Sequence, residues 1–480
     1  MAMGILADFR NDLASGDTIA RLRDGLIGNG ARFDAGCGPQ TLLYADYVAS
    51  GRALRQVEDF VTENVLPWYA NSHTEASYCG GAMTRLREEA RGAIAELVGA
   101  GPDCHVVFTG SGATSGINRI VRLLEVETRV AKGDRVVVLS GPYEHHSNIL
   151  PWRESGAHVV EIAEADCGGV DLTSLDEAIA QASGADLIIG SFSAASNVTG
   201  IVTDTDAVTR KLKAAGAVAI WDYAAGAPYL PMVMGDGAEA KDAIVLSPHK
   251  FPGGPGASGV MVVRNSIVRR TTPTLPGGGS VSFVSPWGHT YSARVEAREE
   301  AGTPNVVGDI RAALVMLVKD AVGAPVILAR EETLRQRAVE RWTQVPGIRL
   351  LGQKPGMTAL PIFSFQVVDP QGALVHHQMF TRMLSDMWGI QVRGGCACAG
   401  PYAHRLLGLD DAASQALFLR LGAGHELEKP GWVRLNFSYL HSDAEAERIL
   451  DAVAELAGTA ARLASRYVAD PRTARFRPAA

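Results

Sequence analysis

The sequence predicts an α/β protein, in which a parallel sheet with crossover helices is joined to a second, smaller domain. At 480 residues the chain is long for one simple core, so two domains are expected. Its hydrophobic content of 47% and its 52 glycines are typical of a glycine-rich α/β enzyme. Between residues 106 and 263, short apolar runs alternate with helical patterns, and this alternation favours a parallel sheet.

The elements can be assigned in chain order from hydrophobic periodicity. Helical patterns come first, at residues 18–26, 52–65 and 83–98. Seven apolar runs are then predicted as strands, at residues 106–109, 135–139, 158–162, 187–192, 217–222, 243–246 and 259–263. Residues 276–302 are expected to be irregular, and a helical stretch at 307–343 breaks near residues 323–325. The last elements are strands at 362–367, 390–392 and 433–436, and a helix from 444 to about 467.

These elements suggest four parts of the chain. Residues 1–45 are expected to be an N-terminal segment that packs with the small domain, and residues 46–310 the large domain. Residues 311–470 would hold a linking helix and the small C-terminal domain, followed by a loose tail at 471–480.

Composition and charge exclude several classes of protein. A formal charge of −7 and a pI near 6.0 give no electrostatic reason to expect a nucleic acid or an anionic membrane as partner. The first 15 residues lack the apolar core of a signal peptide, and no apolar run is long enough to span a membrane. Six cysteines are too few for a disulfide framework in a chain of this length. A cytoplasmic protein is expected.

Two charged residues follow neighbouring strand runs. Asp222 ends the run at 217–222, and Lys250 comes just after the run at 243–246. A pyridoxal phosphate (PLP) site needs such a pair, because the carboxylate keeps the pyridinium nitrogen protonated and the lysine holds the aldehyde and moves protons. An ordinary salt bridge at the strand ends is the structural alternative.

Three more polar clusters follow predicted strands, at the sheet edge where ligands bind. In the glycine-rich turn at 108–118, backbone N–H groups could bind an anion, and Thr114 could offer its hydroxyl to a phosphate. His145 could stack on a flat ring and exchange protons, and Asn197 could donate to a phenolate oxygen. Each residue also has a plainer interpretation, as part of a structural turn or a solvated loop.

Two unusual features lie in the C-terminal part. Cys396 and Cys398 lie one residue apart in the glycine-rich segment 393–400, where they could form a thiolate nucleophile, a redox pair or half a metal site. A metal would need further ligands, and the sequence has no second close cysteine pair to supply them. Arg434 lies within an apolar run and needs a carboxylate partner, either from the substrate or from the protein.

Taken together, these clusters resemble the class V aminotransferase branch of the fold type I PLP enzymes, and within it the cysteine desulfurases and selenocysteine lyases. The resemblance runs in order from about Tyr44 to the last helix, and its most specific segments are 144–152, 196–200, 247–250 and 301–305. It implies a large domain with a mainly parallel seven-stranded sheet and a smaller α+β C-terminal domain.

The resemblance assigns roles to matching residues. Lys250 matches the Schiff-base lysine, Asp222 the pyridinium partner, and His145 the histidine that stacks on the ring. The other matches are Asn197 near the ring hydroxyl and the substrate, Arg434 for the substrate carboxylate, Cys398 as the thiol that receives sulfur, and Ala113, Thr114, Ser247 and His249 as the phosphate cradle.

The loop of Gly279 and Ser280 resembles one that reaches the phosphate of a neighbouring subunit, so a homodimer with shared active sites is implied. The resemblance also implies an amino-acid substrate and a sulfur-acceptor protein, without identifying either. Departures from the family pattern lie at Ala225, where the family has glutamine, at residues 394–397, which lack the usual histidines, and in the extra stretch 409–430.

The resulting hypothesis is a PLP-dependent lyase that converts L-cysteine, selenocysteine or a related amino acid to alanine and leaves sulfur on Cys398. Cys396 could then relay that sulfur, and the residues leave open which of the two thiols is catalytic. The alternatives are a class V aminotransferase, an epimerase or a C–S lyase acting on another amino acid. A catalytically silent interaction protein and a metal or redox protein built on the two cysteines also stay open.

Overall fold

A computed structural model of the protein describes residues 4–72, 75–353 and 356–479. The chain forms two compact units. The first unit runs up to residue 25 and also includes residues 50–194 and 203–326. The second unit takes residues 26–49 and 195–202 and then the chain from residue 327 onward.

The first unit is built on a seven-stranded sheet. Its spatial order is Cys104–Gly110, Gly259–Arg264, Ala243–Leu246, Val218–Asp222, Leu187–Ser193, Val136–Ser140 and His158–Glu161. Gly259–Arg264 is antiparallel to both of its neighbours, and the other pairings are parallel. Every residue of Val218–Asp222 and of Ala243–Leu246 is buried, as expected for strands covered on both faces. The predicted mainly parallel seven-stranded sheet is confirmed.

Helices surround this sheet, and several begin at the predicted places. The turn after Cys104–Gly110 opens directly into the helix Gly112–Leu123, which buries one face against the sheet. The helices of the first unit are Ile5–Leu13, Thr18–Asp24, Arg55–Phe60, Tyr78–Leu97, Gly112–Leu123, Val126–Ala131, Leu150–Glu154, Leu172–Gln181, Thr205–Ala214, Val295–Glu299 and Val306–Val322.

The sequence predicted that residues 276–302 are irregular, and this prediction is wrong. They contain a hairpin, Val281–Ser285 with Gly288–Tyr291, followed by the helix Val295–Glu299. The hairpin exposes Phe283 and Val284 to 62% and Trp287 to 92%, so it lacks the buried alternation by which a strand is recognised.

The second unit has an antiparallel sheet with the order Ile348–Leu351, Ile362–Val368, Trp432–Asn436 and Arg393–Gly395, and Leu374–Val375 also pairs with Ile362–Val368. Trp342 lies in the core of this unit, with ring centroids 5.1 Å from Phe363 and 5.9 Å from Phe437. Smaller pairings join Arg32–Asp34 to Pro39–Thr41 and Ile390–Gln391 to Leu43–Tyr44.

The helices of the second unit cover one face of this sheet or lie in the loops. The final helix begins at a capping box formed by Ser442 and Glu445. The helices are Ala324–Trp342, His377–Trp388, Gly400–Leu407, Asp411–Gly422 and Asp443–Leu463. The predicted break at 323–325 is confirmed, because Gly323 ends one helix at a φ of 85° and Ala324 begins the next.

The two chain ends differ from their predictions. Residues up to 25 belong to the first unit rather than the small domain, because Phe9 packs on Phe60 and the backbone N–H of Leu6 donates to Glu89. The tail is not loose, since Arg475–Pro478 pairs with Tyr467–Asp470 and Phe476 packs on the core.

Among the residues that the structure describes, no single helix is long and apolar enough to cross a membrane. The consecutive helices Val306–Val322 and Ala324–Trp342 meet the length and composition criteria only when they are taken together.

Candidate functional site

The predicted site residues fall into two clusters, one in each unit. In the first unit, Asp222 ends the central strand Val218–Asp222 and is 4% exposed, and its carboxylate accepts a 2.7 Å hydrogen bond from the N–H of Ala224. Burial raises the pKa of Asp222, while the Ala224 N–H and the positive charge of Lys250 lower it. The carboxylate is therefore poorly compensated, and a bound cation such as a pyridinium would stabilise it.

Lys250 follows the strand that pairs with the strand of Asp222. Asp222 pairs with Val245 in the sheet, and the chain continues from that strand into the 3-10 turn Pro248–Lys250, where the N–H of Lys250 donates to the carbonyl of Ser247. The sheet thus brings the predicted lysine and carboxylate to the same edge, within electrostatic reach of each other.

The residues predicted to form a phosphate cradle lie together at the start of Gly112–Leu123. The Ser247 hydroxyl accepts from the N–H of Ala113 at 3.0 Å. Gly112 has a φ of 59°, and a Cβ there would lie 2.9 Å from Ser247 Oγ and 3.0 Å from His249 Cε1. Glycine therefore lets Ser247 and His249 approach this helix start closely, and the N–H groups at a helix start favour binding of a phosphate.

Two histidines flank the cradle. Burial and the charge of Lys250 lower the pKa of His249 to about 4, so its imidazole is neutral at pH 7. His145 Nδ1 accepts from the N–H of Ser147 at 3.1 Å and lies 3.0 Å from the Ser147 hydroxyl. That hydroxyl is in turn 2.7 Å from Thr114 Oγ1, so hydrogen bonds connect the predicted stacking histidine to the cradle.

A buried network fixes the loop that carries His145. Glu144 is 2% exposed and accepts from Asn148 Nδ2 at 2.6 Å and from the N–H and hydroxyl of Ser193. Asn148 Oδ1 accepts from Trp152 Nε1 and from the Ser191 hydroxyl. Burial raises the pKa of Glu144 to about 7, against the effect of these donors. Glu144, Asn148 and Trp152 in the segment 144–152 therefore have a structural role, which is to hold this loop in place.

The second cluster surrounds Arg434. Arg434 is 4% exposed, and it donates from Nη1 to the carbonyl of Asn197 at 3.1 Å and from Nη2 to Asp46 at 3.2 Å. Arg393 also donates to Asp46, at 3.1 Å, so two guanidinium groups share one carboxylate. The buried Nε of Arg434 has no hydrogen-bond partner among the described residues. The three side chains together leave one positive charge for an anionic ligand.

The two cysteines lie in a bent loop beside this arginine. Cys398 is exposed and Cys396 partly exposed, and neither is in a disulfide. Ala397 and Cys398 have φ values of 53° and 55°, and the carbonyl of Ala397 accepts from Asn197 Nδ2 at 2.9 Å. Burial lowers the pKa of Arg434, while Asp46 and, to a smaller degree, Cys398 raise it, so the thiol lies within electrostatic reach of the guanidinium. The described residues contain no group of three or more acidic, histidine or cysteine side chains arranged around a metal position.

Sequence reasoning missed two contributors. It did not single out Asp46, although Arg434 in an apolar run already called for a carboxylate partner. It predicted Asn197 near the ring hydroxyl and the substrate, and the structure adds a contact from its amide to the loop of Cys396 and Cys398. It also missed the structural role of Asn148. Ser280, predicted to serve a neighbouring subunit, is buried, and its hydroxyl donates to the carbonyl of Gly277 at 2.7 Å.

Comparisons with known proteins agree on one family. The profile described as Aminotransferase class-V matches residues 43–438. The chain is 30% identical to a probable cysteine desulfurase of Streptomyces coelicolor over 76% of this chain and 85% of that protein. It is 31% identical to probable cysteine desulfurase 2 of Mycobacterium leprae, over 77% of this chain and 85% of that one. An apo cysteine desulfurase from Thermococcus onnurineus NA1 superposes with a TM-score of 0.72 at 25% identity, covering 87% of this chain and 94% of that chain.

Proposed function

The chain belongs to the aminotransferase class V family, and on that premise we propose that it is a PLP-dependent cysteine desulfurase. Its substrate would be L-cysteine or a close relative such as selenocysteine. The products would be alanine and a persulfide on an enzyme cysteine, which conserves all atoms of the amino acid and the thiol. The observation that carries this choice within the family is the exposed thiol of Cys398 beside Arg434, because amino transfer would need the arginine but no thiol.

Bound PLP would supply the electron sink for the bond changes at the substrate. The first cluster offers what that group needs: a buried carboxylate at Asp222, a lysine at Lys250, and an open helix N-terminus with Ser247 for the phosphate. Thr114, Ala113 and His249 would complete the cradle, and His145 would cover the ring. Ala225 supplies no side-chain hydrogen bond where the family has glutamine.

Lys250 would take the proton from Cα and later return a proton to the product. Asp222 would stay anionic opposite the ring nitrogen, which is the state that burial alone opposes. A buried carboxylate without a partner is unstable, so the anionic Asp222 would bind the positively charged ring nitrogen tightly.

Arg434 would bind the carboxylate of the substrate. The free positive charge of the cluster with Asp46 and Arg393 supports this role, as does the unpartnered Nε. Cys398, as the thiolate, would attack the substrate sulfur. The new S–S bond takes its electron pair from the thiolate, and the pair of the broken C–S bond stays on the carbon that becomes the methyl group of alanine.

The test uses the holoenzyme with L-cysteine and a reductant, and follows alanine and sulfide together. Equal formation of both, lost in Cys398→Ala and retained in Cys167→Ala, is the expected result, because Cys167 is also exposed but belongs to the first unit, whereas Cys398 belongs to the second. Alanine formed at the parental rate by Cys398→Ala would exclude the nucleophile. Transfer of the amino group to a keto acid without sulfur release would identify an aminotransferase.

We also propose a homodimer. The hairpin that follows Ser280 supports this, since it exposes the large apolar side chains Phe283, Val284 and Trp287, which a second copy could cover. Light scattering on the purified protein should then give a mass near twice 50.8 kDa.

A sulfur-acceptor protein would remove the persulfide sulfur in the cell, and a cytoplasmic location fits such a partner.

A further inference from the structure

The loop from Cys396 to Ala399, called here the cysteine loop, contains two consecutive residues in an unfavourable backbone conformation. Ala397 and Cys398 have φ values of 53° and 55°, in the left-handed region that crowds a Cβ against the backbone. Among the described residues, the other non-glycine residues with positive φ are Glu125 and Ala474, and each of these stands alone in the sequence. Two such residues in succession persist only where surrounding contacts hold them.

One side chain from a distant segment reaches this strained pair. Asn197 Nδ2 donates at 2.9 Å to the carbonyl of Ala397, which belongs to the peptide that joins the two strained residues. The two partners are 200 positions apart in the chain. Ala399, at the end of the loop, is fully buried, whereas Cys398 is exposed.

Asn197 is itself held firmly. It is 7% exposed, and its carbonyl accepts from Arg434 at 3.1 Å. The next carbonyl, that of Val198, accepts from the Ser364 hydroxyl at 2.7 Å. The segment of Asn197 is therefore anchored to the sheet of the second unit, and the amide extends from this anchor to the loop.

We propose that Asn197 is a positioning residue that latches the cysteine loop in its strained conformation and so presents the thiol of Cys398 for sulfur transfer. The inference deepens the proposed desulfurase function and rests on it for the chemical consequence. A single side-chain-to-backbone bond shifts a conformational equilibrium by roughly two- to tenfold. The hydrogen bond from Asn197 thus favours the loop conformation in which the Cys398 thiol is available. It still breaks readily, so the loop can move when it delivers the sulfur.

The first test compares two substrates in the holoenzyme. L-cysteine needs thiol attack on its sulfur, whereas L-cysteine sulfinate can react with water to give alanine and sulfite without it. Any role of Asn197 in binding PLP or the substrate carboxylate affects both substrates, so the ratio of the two rates isolates the loop. Asn197→Ala should lower the ratio of cysteine to sulfinate turnover by about three- to tenfold, in line with the loss of one hydrogen bond.

Two further variants serve as control and rescue. Asn64→Ala removes a comparable bond from an asparagine amide to a backbone carbonyl, that of Phe60 in the first unit, and should leave the ratio unchanged. Ala397→Gly makes the left-handed conformation intrinsically acceptable at that position, so adding it to Asn197→Ala should restore most of the ratio. An unchanged ratio in Asn197→Ala, an equal loss in Asn64→Ala, or no rescue by Ala397→Gly would each overturn the proposal.

A second readout does not depend on turnover. Millisecond hydrogen exchange of residues 396–400 should be faster in Asn197→Ala than in the parent, and slower again with Ala397→Gly. If neither substrate reacts, the proposed desulfurase function fails while the exchange rates still decide the latch. Equal exchange in the parent and Asn197→Ala would exclude it.

Discussion

The loop that carries His145 and the cysteine loop are built in opposite ways. The first is fixed by buried carboxylate, amide, hydroxyl and indole groups, and its Glu144 and Asn148 together accept five hydrogen bonds. The cysteine loop exposes its thiol, bends through two left-handed residues and is tied to another segment through Asn197.

This difference fits the two roles proposed for His145 and Cys398. A group that stacks on a cofactor must keep one position, and a satisfied buried network provides that rigidity. A thiol that takes up sulfur and passes it on must move, and an exposed loop held by few contacts opens at low cost. The predictions below test this contrast.

The largest effect is expected in the first cluster. Replacing Lys250 with alanine removes the group that moves protons at Cα, so alanine formation should fall by about 10²–10⁴-fold. The rate of alanine formation from L-cysteine measures this. Lys211→Ala, which breaks only an exposed ion pair with Asp176, is the control and should leave the rate unchanged. A Lys250→Ala variant within tenfold of the parent would contradict the assignment.

The second effect separates the two arginines that share Asp46. Arg434 is buried and Arg393 is half exposed, with side-chain exposures of 5% and 54%. Arg434→Lys should lower kcat/KM by about 10²-fold, mainly through KM, because lysine cannot replace a forked contact. Arg393→Lys should change it less than about threefold, since exposed ion pairs contribute little. Equal losses would show that the exposed arginine binds the substrate as well.

The third prediction compares the stability of the two loops. Asn148→Ala leaves Glu144, Trp152 and Ser191 short of partners in a buried site, so urea unfolding should show a loss of about 2–3 kcal/mol. Cys398→Ala changes an exposed side chain and should alter the free energy of unfolding by less than about 0.5 kcal/mol. A comparable loss in both variants would remove the contrast between a rigid and a mobile loop.

The smallest expected effect is on stability, and it concerns a buried carboxyl group that belongs to neither loop. Glu331 is 2% exposed, and burial raises its pKa well above the ordinary value, against the Tyr439 backbone and Arg330. A raised pKa means that its contribution to stability is complete below the unfolded pKa of about 4.3 and is lost as pH rises through the folded pKa.

Glu331→Gln cannot ionise and should escape this loss. Its melting temperature should match the parent near pH 4 and exceed it at pH 8, by an amount equivalent to about 1 kcal/mol. Calorimetry at both pH values measures this, and the ratio of cysteine to sulfinate turnover should stay the same. A variant that is less stable than the parent at pH 8 would show that Glu331 is needed as an anion.

Part of the fold was predictable because it is encoded locally. Runs such as 217–221 and 243–246 are apolar throughout, so they indicate buried strands without reference to any other segment. The hairpin at 281–291 was missed because its apolar residues face outward. In the tail, Phe476 lies between two arginines and gives no periodic signal, yet it packs on the core of the second unit.

The sequence by itself determined the sheet and the order in which Asp222 and Lys250 follow its strands, since parallel strands bring their carboxyl ends to one edge. Only the tertiary structure decided that Asp46 pairs with Arg434, 388 positions away, and that Asn197 holds the cysteine loop. Such contacts form only when the folded chain brings segments together that are distant in the sequence. Local periodicity carries no information about that, because it reports only which face of an element is buried.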